Sequence, residues 1–253
     1  MKYGGKTDVG MKRKTNQDSY AVFSKNGYFC AIVCDGMGGA KGGNVASSLA
    51  VKTFATVIKK AFSARSADDF DESDIKSLLK RSVDEANKAV YNKSLTDPEL
   101  EGMGTTLVAV LVCLCGTYAV NIGDSRIYRQ TELGIEQISK DHSFVQYLID
   151  KGEIRPEEAA THPNKNIILR ALGVNERVDG DYYRIDSYYR ILICSDGLTN
   201  HVSNERISEI ISGSYSTKRP SYKARIERLV DEANAGGGLD NITAVLFGGE
   251  QDI

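Results

Sequence analysis

Apolar residues fall along this chain in two rhythms. Short, nearly continuous runs, Phe29-Cys30-Ala31-Ile32-Val33-Cys34, Ile191-Leu192-Ile193-Cys194 and Ile242-Thr243-Ala244-Val245-Leu246-Phe247, have strand length and many β-branched residues, the pattern of buried strands. Strands are expected over 28–34, 105–115, 118–122, 125–130, 190–194 and 242–247, with Cys115-Gly116-Thr117 as a hairpin turn. Elsewhere the spacing changes to three and four. Leu49, Ala50, Phe54, Val57 and Ile58 stripe one side of 45–62, and Ile75, Leu78, Leu79, Val83, Ala86 and Val90 stripe one side of 73–93, so both segments are expected as amphipathic helices. Two more helices come late: 204–211 behind an N-capping Ser203, and 221–235 stopped by Gly236-Gly237-Gly238.

The order is a helix pair, a group of strands, then a second helix pair before the last strand. A βαβ repeat would alternate single strands with single helices, so the pattern fits an α+β layered domain, mostly antiparallel, with helices on the outer faces of a sheet core. No linker, internal repeat or low-complexity tract divides the sequence, and residues 1–253 are expected to form one domain. The polar stretch 141–173, with a short helical pattern at 144–150 closed by Gly152, reads as an insertion beside the core. Such a segment serves either as a lid over a site or as a plain surface connection.

A chain of 253 residues buries about three quarters of its unfolded surface, so the core needs no outside support. The net charge of −2 and pI near 6.0 argue against a nucleic-acid or anionic-membrane binder, which needs a basic surplus. Five cysteines are an odd number, and Cys113 and Cys115 are expected to alternate within one apolar strand rather than to anchor loops, so all five read as reduced thiols. The N-terminal Met1-Lys2-Tyr3-Gly4-Gly5-Lys6 lacks the apolar core of a signal peptide and the glycine of a myristoylation signal, and no apolar run reaches the roughly 18 residues of a membrane span. A soluble, cytoplasmic protein is expected, monomeric by default.

Against this ordinary background the carboxylates stand out. Two of the apolar runs end at Asp35-Gly36 and Ser195-Asp196-Gly197, and a third begins after Gly238-Leu239-Asp240-Asn241. Asp-Gly pairs form turns for conformational reasons alone. Unrelated turns, however, have no reason to present so many acids at strand ends, and Asp18 and Asp124 also lie beside expected strands. Several Asp oxygens suit Mg²⁺ or Mn²⁺, whereas zinc would draw on His or Cys. His142, His162 and His201 show no ligand spacing and read as surface or packing residues. A carboxylate site of this kind can hold two ions about 3.5 to 4 Å apart and support hydrolysis of phosphate esters. In Lys12-Arg13-Lys14, Arg13 can grip two phosphate oxygens in a bidentate fork, although short basic runs are often only solvated surface. Covalent and nucleotide-dependent routes find no support: there is no Cys-x5-Arg loop and no Gly-x-Ser-x-Gly elbow, and Gly36-Met37-Gly38-Gly39 lacks the ending of a P-loop.

Seven motifs occur in one order: Arg13-x-x-Asn16-Gln17-Asp18, Asp35-Gly36-Met37-Gly38-Gly39, Gly102-Met103-Gly104-Thr105-Thr106, Gly123-Asp124-Ser125-Arg126, Arg170-Ala171-Leu172-Gly173, Ser195-Asp196-Gly197-Leu198-Thr199 and Asp240-Asn241-Ile242-Thr243. In this set the chain resembles the bacterial type of the PPM family, the metal-dependent protein serine/threonine phosphatases also called type 2C. The resemblance implies a central antiparallel β-sandwich flanked by helix pairs in four layers, with a dinuclear Mn²⁺ or Mg²⁺ centre at one end. It further implies that Asp35 bridges both metals, the Gly36 carbonyl binds one of them, and Asp196 and Asp240 complete the other. Asp18 would act through water, and a third, weaker ion would sit near Asp124 with Asp196 shared. Arg13 matches the phosphate-binding arginine, and 141–173 the mobile flap. The implied substrates are phosphoserine and phosphothreonine proteins, in opposition to a bacterial membrane-bound serine/threonine kinase.

Two positions depart from the family. Animal relatives carry a histidine, assigned as general acid, where this chain has Met37, and many bacterial relatives carry one where it has Ala40. A catalytically silent scaffold would show the loss of a metal acid, yet Asp35, Asp196 and Asp240 are all present. A hard-metal nuclease would need a basic groove that the near-neutral charge disfavours.

Overall fold

The computed structural model describes residues 1–25, 27–214, 216 and 220–249, with only the backbone of residues 40 and 41. The strands are β1 (Lys2–Asp8), β2 (Asp18–Lys25), β3 (Tyr28–Met37), β4 (Gly104–Thr105), β5 (Leu107–Cys113), β6 (Gly116–Ile122), β7 (Arg126–Thr131), β8 (Gly134–Gln137), β9 (Asp181–Arg184), β10 (Arg190–Cys194) and β11 (Ile242–Gly248). The helices are α1 (Gly39–Ala64), α2 (Glu72–Thr96), α3 (Phe144–Asp150), α4 (Pro156–Ala159), α5 (Asp196–Thr199), α6 (Asn204–Ser212) and α7 (Tyr222–Ala235). One sheet runs β1-β11-β10-β7-β8 and the other β2-β3-β5-β6-β9, with β4 paired to β3; every pairing is antiparallel.

Strand periodicity builds the layers. Along β3, Phe29, Ala31 and Val33 face the opposite sheet and meet Val108, Ile193 and Phe247. Cys30, Ile32 and Cys34 face the other way, where Phe54 and Ile58 of α1 and Leu79 and Val83 of α2 cover them. In the second sheet Leu192, Ala244 and Leu246 turn outward under Ile210 of α6 and Leu229 of α7. The result is four layers, helices, sheet, sheet and helices, as the α+β reading expects. Helix starts follow local chemistry: Asp71 caps α2 in a reciprocal box with Asp74, and Ser143, Ser203 and Ser221 cap α3, α6 and α7.

Several boundaries differ from the sequence reading. β3 continues through Asp35 and Gly36 to Met37, so the first Asp-Gly pair lies inside a strand rather than in a turn. The expected strand 105–115 is cut at Thr106 into β4 and β5, because Thr106 turns to bind the backbone of Asp35. Cys115 falls outside β5, in the turn that joins Cys113 to its partner Gly116, so the two cysteines do not alternate within one strand. The insertion carries α3 and α4, and its base is closed by the Ser143–Ile168 bridge and by the Leu169 N–H donating to the His142 carbonyl at 2.7 Å. Among the described residues no helix is long and apolar enough to cross a membrane.

Candidate metal centre

The strand register carries the acids to one end of the sandwich. Asp18 opens β2 and stands opposite Asp35 in β3. Asp196 begins α5 where β10 ends, Asp124 occupies the turn between β6 and β7, and Asp240 precedes β11. Backbone packing explains the glycines beside them. A Cβ on Gly36 would lie 2.0 Å from the Gly43 carbonyl oxygen and 2.5 Å from that of Gln17, so only glycine lets the start of α1 close against β3. Gly123, at φ +105 with Thr106 beneath it, supplies the left-handed bend that points Asp124 inward.

These carboxylates are costly as they stand. The Oδ1 atoms of Asp18, Asp124 and Asp196 are buried without a hydrogen-bond partner. Burial is the first cause of a raised pKa at Asp18, which reaches about 7, at Asp124, which reaches about 8, and at Asp35 and Asp196. Repulsion among the acids adds to it: Asp18, Asp196, Asp124 and Asp240 all act on Asp35. Asp35 and Asp196 each keep a partly open face, yet protein surrounds each on its other sides and desolvation still dominates. Compensation is partial. Ser195 Oγ donates to Asp18 Oδ2 at 2.7 Å, and Asn200 Nδ2 donates to Asp196 Oδ2 at 3.0 Å.

An uncompensated cluster of buried carboxylates is a donor set suited to hard divalent cations, and the orphaned oxygens are where such ions would bind. Among the described residues no three acidic, histidine or cysteine side chains stand ready-arranged around one point. Asp240 is turned to a different cation, Arg13, whose Nη2 donates to its Oδ2 at 2.7 Å. The sequence-derived phosphate arginine therefore lies at the site, paired with one of the expected metal acids. A cleft of about 280 Å³ separates Asp124 and Asp196 from Val145, Pro156 and Lys165 of the insertion. Larger grooves, 710 Å³ across α1 and α2 and 580 Å³ beside the β7–β8 hairpin, contain none of these acids.

Residues 11–232 match the family model described as Protein phosphatase 2C. The chain belongs to the protein phosphatase 2C family. It is 38% identical over 251 residues to the serine/threonine phosphatase stp of Listeria monocytogenes serotype 4b (strain F2365), covering 98% of this chain and 95% of that one. Its fold superposes on the crystal structure of serine/threonine phosphatase Stp1 from Staphylococcus aureus with a TM-score of 0.87, at 33% identity, over 99% of this chain and 96% of that one. It also matches the catalytic domain of serine threonine protein phosphatase PstP, crystallised in complex with two manganese ions, with a TM-score of 0.78, at 35% identity and 96% coverage of each chain. As a phosphatase 2C protein it is a serine/threonine protein phosphatase, a metal-dependent phosphoprotein hydrolase.

The phosphatase site uses residues that sequence reasoning quoted without a role. Thr106 Oγ1 accepts the Asp35 N–H at 2.9 Å, and its own N–H donates to the Asp35 carbonyl at 2.8 Å. Thr105 Oγ1 adds a bond to the same carbonyl at 2.8 Å. Asn241 Oδ1 accepts the Gln17 N–H, and its Nδ2 donates to the carbonyls of Val9 and Thr15, tying the Arg13 loop to Asp240. These residues stand inside the quoted motifs, which was the available signal. His142 is buried, as a packing residue should be. Its Nδ1 accepts the Gly123 N–H at 3.2 Å and its Nε2 faces Asp181 at 3.1 Å, and desolvation lowers its pKa. It thus joins the base of the insertion to the Asp124 turn.

Proposed function

We propose that Asp35, the Gly36 carbonyl, Asp196 and Asp240 of this phosphatase would hold two Mn²⁺ or Mg²⁺ ions, the charge of Asp35 serving both. Asp18 would support them from behind through water, and Asp124 with Asp196 would hold a third ion. The orphaned oxygens of Asp18, Asp124 and Asp196 are the observation that carries this reading. The ions supply Lewis acidity, lowering the pKa of water and neutralising charge on the transferring phosphoryl group.

The chain's own residues do the rest. Arg13 is half exposed at the edge of the cluster, where its guanidinium can leave Asp240 for the oxygens of an incoming phosphate. Thr105 and Thr106 fix the Asp35 backbone from one side, and Ser195 fixes Asp18 from the other. Residues 141–173 form a flap that walls the cleft and limits water. Met37 brings its side chain against Gly104 and offers no proton to the leaving oxygen; the Ala40 side chain lies outside the described residues.

The proposed substrates are phosphoserine and phosphothreonine proteins, a cognate serine/threonine kinase among them, and the names of the similar proteins support that class. A single catalytic domain over 1–253, acting as a monomer in the cytoplasm, completes the proposal. The five free thiols support that compartment, and the lack of a basic surplus argues against nucleic acid as substrate.

The test is phosphate release from a phosphothreonine peptide by metal-stripped protein titrated with Mn²⁺, beside Asp240→Asn. Activity that rises with Mn²⁺ and is lost in the variant supports the assignment. A folded wild type that takes up Mn²⁺ and releases no phosphate would instead make the chain a silent binding protein.

A further inference from the structure

Three of the five cysteines, Cys30, Cys34 and Cys194, are fully buried in the layered core, and burial raises each thiol's pKa far from any reactive range. The remaining two are placed differently. Cys113 closes β5 and Cys115 lies in the turn before β6, with their sulfurs 3.2 Å apart. Cys113 is 8% exposed and Cys115 is half-buried, and Leu114 between them is 66% exposed, so the turn lies at the surface. The turn is held in shape: Cys113 pairs with Gly116 in the ladder, and the Tyr118 hydroxyl donates to the Cys115 carbonyl at 3.1 Å.

We propose that Cys113 and Cys115 are a redox-modification site, a dithiol that hydrogen peroxide converts into a disulfide within the β5–β6 turn. A disulfide bond is about 2.05 Å long, so the sulfurs need to approach by only about 1.1 Å from where the fold holds them. Cys115 is the sulfur that solvent reaches, and its thiolate attacks one peroxide oxygen. The O–O bond breaks, hydroxide leaves and takes up a proton, and a sulfenic acid forms on Cys115. Cys113 then attacks that sulfur, the S–O bond breaks, and the hydroxyl leaves as water with the Cys113 proton. In sum two thiols are oxidised and one peroxide is reduced to two waters.

The division of roles follows from the surroundings. Burial, and then the hydrogen bond with Cys115, push the Cys113 thiol up to about 12, so it stays protonated and waits as the resolving partner. Cys113 S–H also reaches the Gly116 carbonyl at 3.4 Å, which leaves a sulfur lone pair free to face Cys115. A ring closed across one intervening residue is strained, so the bond should yield readily to a dithiol reductant.

The whole protein is exposed to hydrogen peroxide, quenched with catalase, unfolded and alkylated. Titratable thiols are expected to fall from five to three, with the peptide spanning Cys113 and Cys115 lighter by two hydrogens and dithiothreitol restoring all five. Cys113→Ser should instead accumulate a dimedone-reactive sulfenic acid on Cys115, and Cys115→Ser should lose no thiol. The yield of the Cys113–Cys115 bond should fall when the wild type is first unfolded in urea, since the hairpin no longer holds the sulfurs together and the three buried thiols are exposed to compete. Five thiols surviving peroxide, a peptide map placing the bond at other cysteines, chain-to-chain dimers on a non-reducing gel, or an equal yield of the Cys113–Cys115 bond in urea would each overturn the proposal. None of these readouts uses phosphatase turnover, so they stand or fall apart from the metal centre.

Discussion

Between the two sheets Phe29, Val33, Val108, Ile193 and Phe247 lie against one another at 4% exposure or less, with no polar side-chain atom to satisfy. Two residues beyond Val33 the same strand reaches Asp35, and there the rules invert: acids are packed together, desolvated and repelling. The middle of the sandwich provides stability, and its end stores an electrostatic debt that stability must carry. Burial of one large apolar side chain contributes about 1.5 to 3 kcal/mol, so a modest part of the core suffices to hold several unsatisfied carboxylate oxygens in place.

The contrast can be broken at either end. Asp35→Asn should lower kcat by about three orders of magnitude or more, since it removes a charge shared by the proposed ions. The same change should raise the melting temperature of metal-stripped protein by relieving repulsion. A variant that keeps wild-type turnover while folded would end the assignment. Phe54→Ala acts on the other side: Phe54 of α1 is fully buried against the sheet, and its truncation should cost about 3 to 5 kcal/mol in urea unfolding while the remaining folded molecules keep their turnover.

A pH scan reads the stored repulsion directly. The folded pKa of Asp18, about 7, and that of Asp124, about 8, lie above the ordinary 3.8, so near neutrality the folded, metal-stripped protein holds protons that the unfolded chain has already released. Stability from these groups is therefore fully present below the ordinary value of 3.8, falls as pH rises from there, and is lost once pH has passed the folded values of about 7 and 8. The melting temperature of metal-stripped protein should fall between about pH 4 and pH 8 and level off above that, and saturating Mn²⁺ should change the slope; equal slopes with and without Mn²⁺ would contradict this. The smallest effect belongs to Arg13→Ala. Its pair with Asp240 is exposed, with side chains 52% and 35% accessible, so stability should change by less than about 1 kcal/mol. KM for a phosphopeptide should rise by about tenfold, because a proposed phosphate contact is lost in ground and transition states alike. An unchanged KM would make Arg13 a surface charge.

The middle of the molecule was the legible part, because β3, β10 and β11 and the helices α1 and α2 have one-sided or continuous apolar patterns that survive in one dimension. The edges were not. β1, Lys-Tyr-Gly-Gly-Lys-Thr-Asp, carries a single buried residue and becomes a strand only because β11 offers it seven partners. β9, Asp-Tyr-Tyr-Arg, is likewise defined by β6. At the site the acids could be read because a carboxylate at a strand end is conspicuous. The grips on them could not, since Thr106 on Asp35 and Ser195 on Asp18 join residues 71 and 177 positions apart. The meeting of Arg13 with Asp240 depends on the Asn241 bonds to Val9 and Thr15, which no spacing rule foretells.

The pairing of Asp18 with Asp35 across β2 and β3 has a bearing on how the chain finds its structure. A slip of one residue between these strands would exchange their faces and carry one acid away from the other. Such a misaligned sheet would forfeit the free energy that a divalent cation adds to any state able to bind it. Cation uptake at the proposed centre would thereby act as proofreading: of all the ways these two strands could zip together, the ion would reward one.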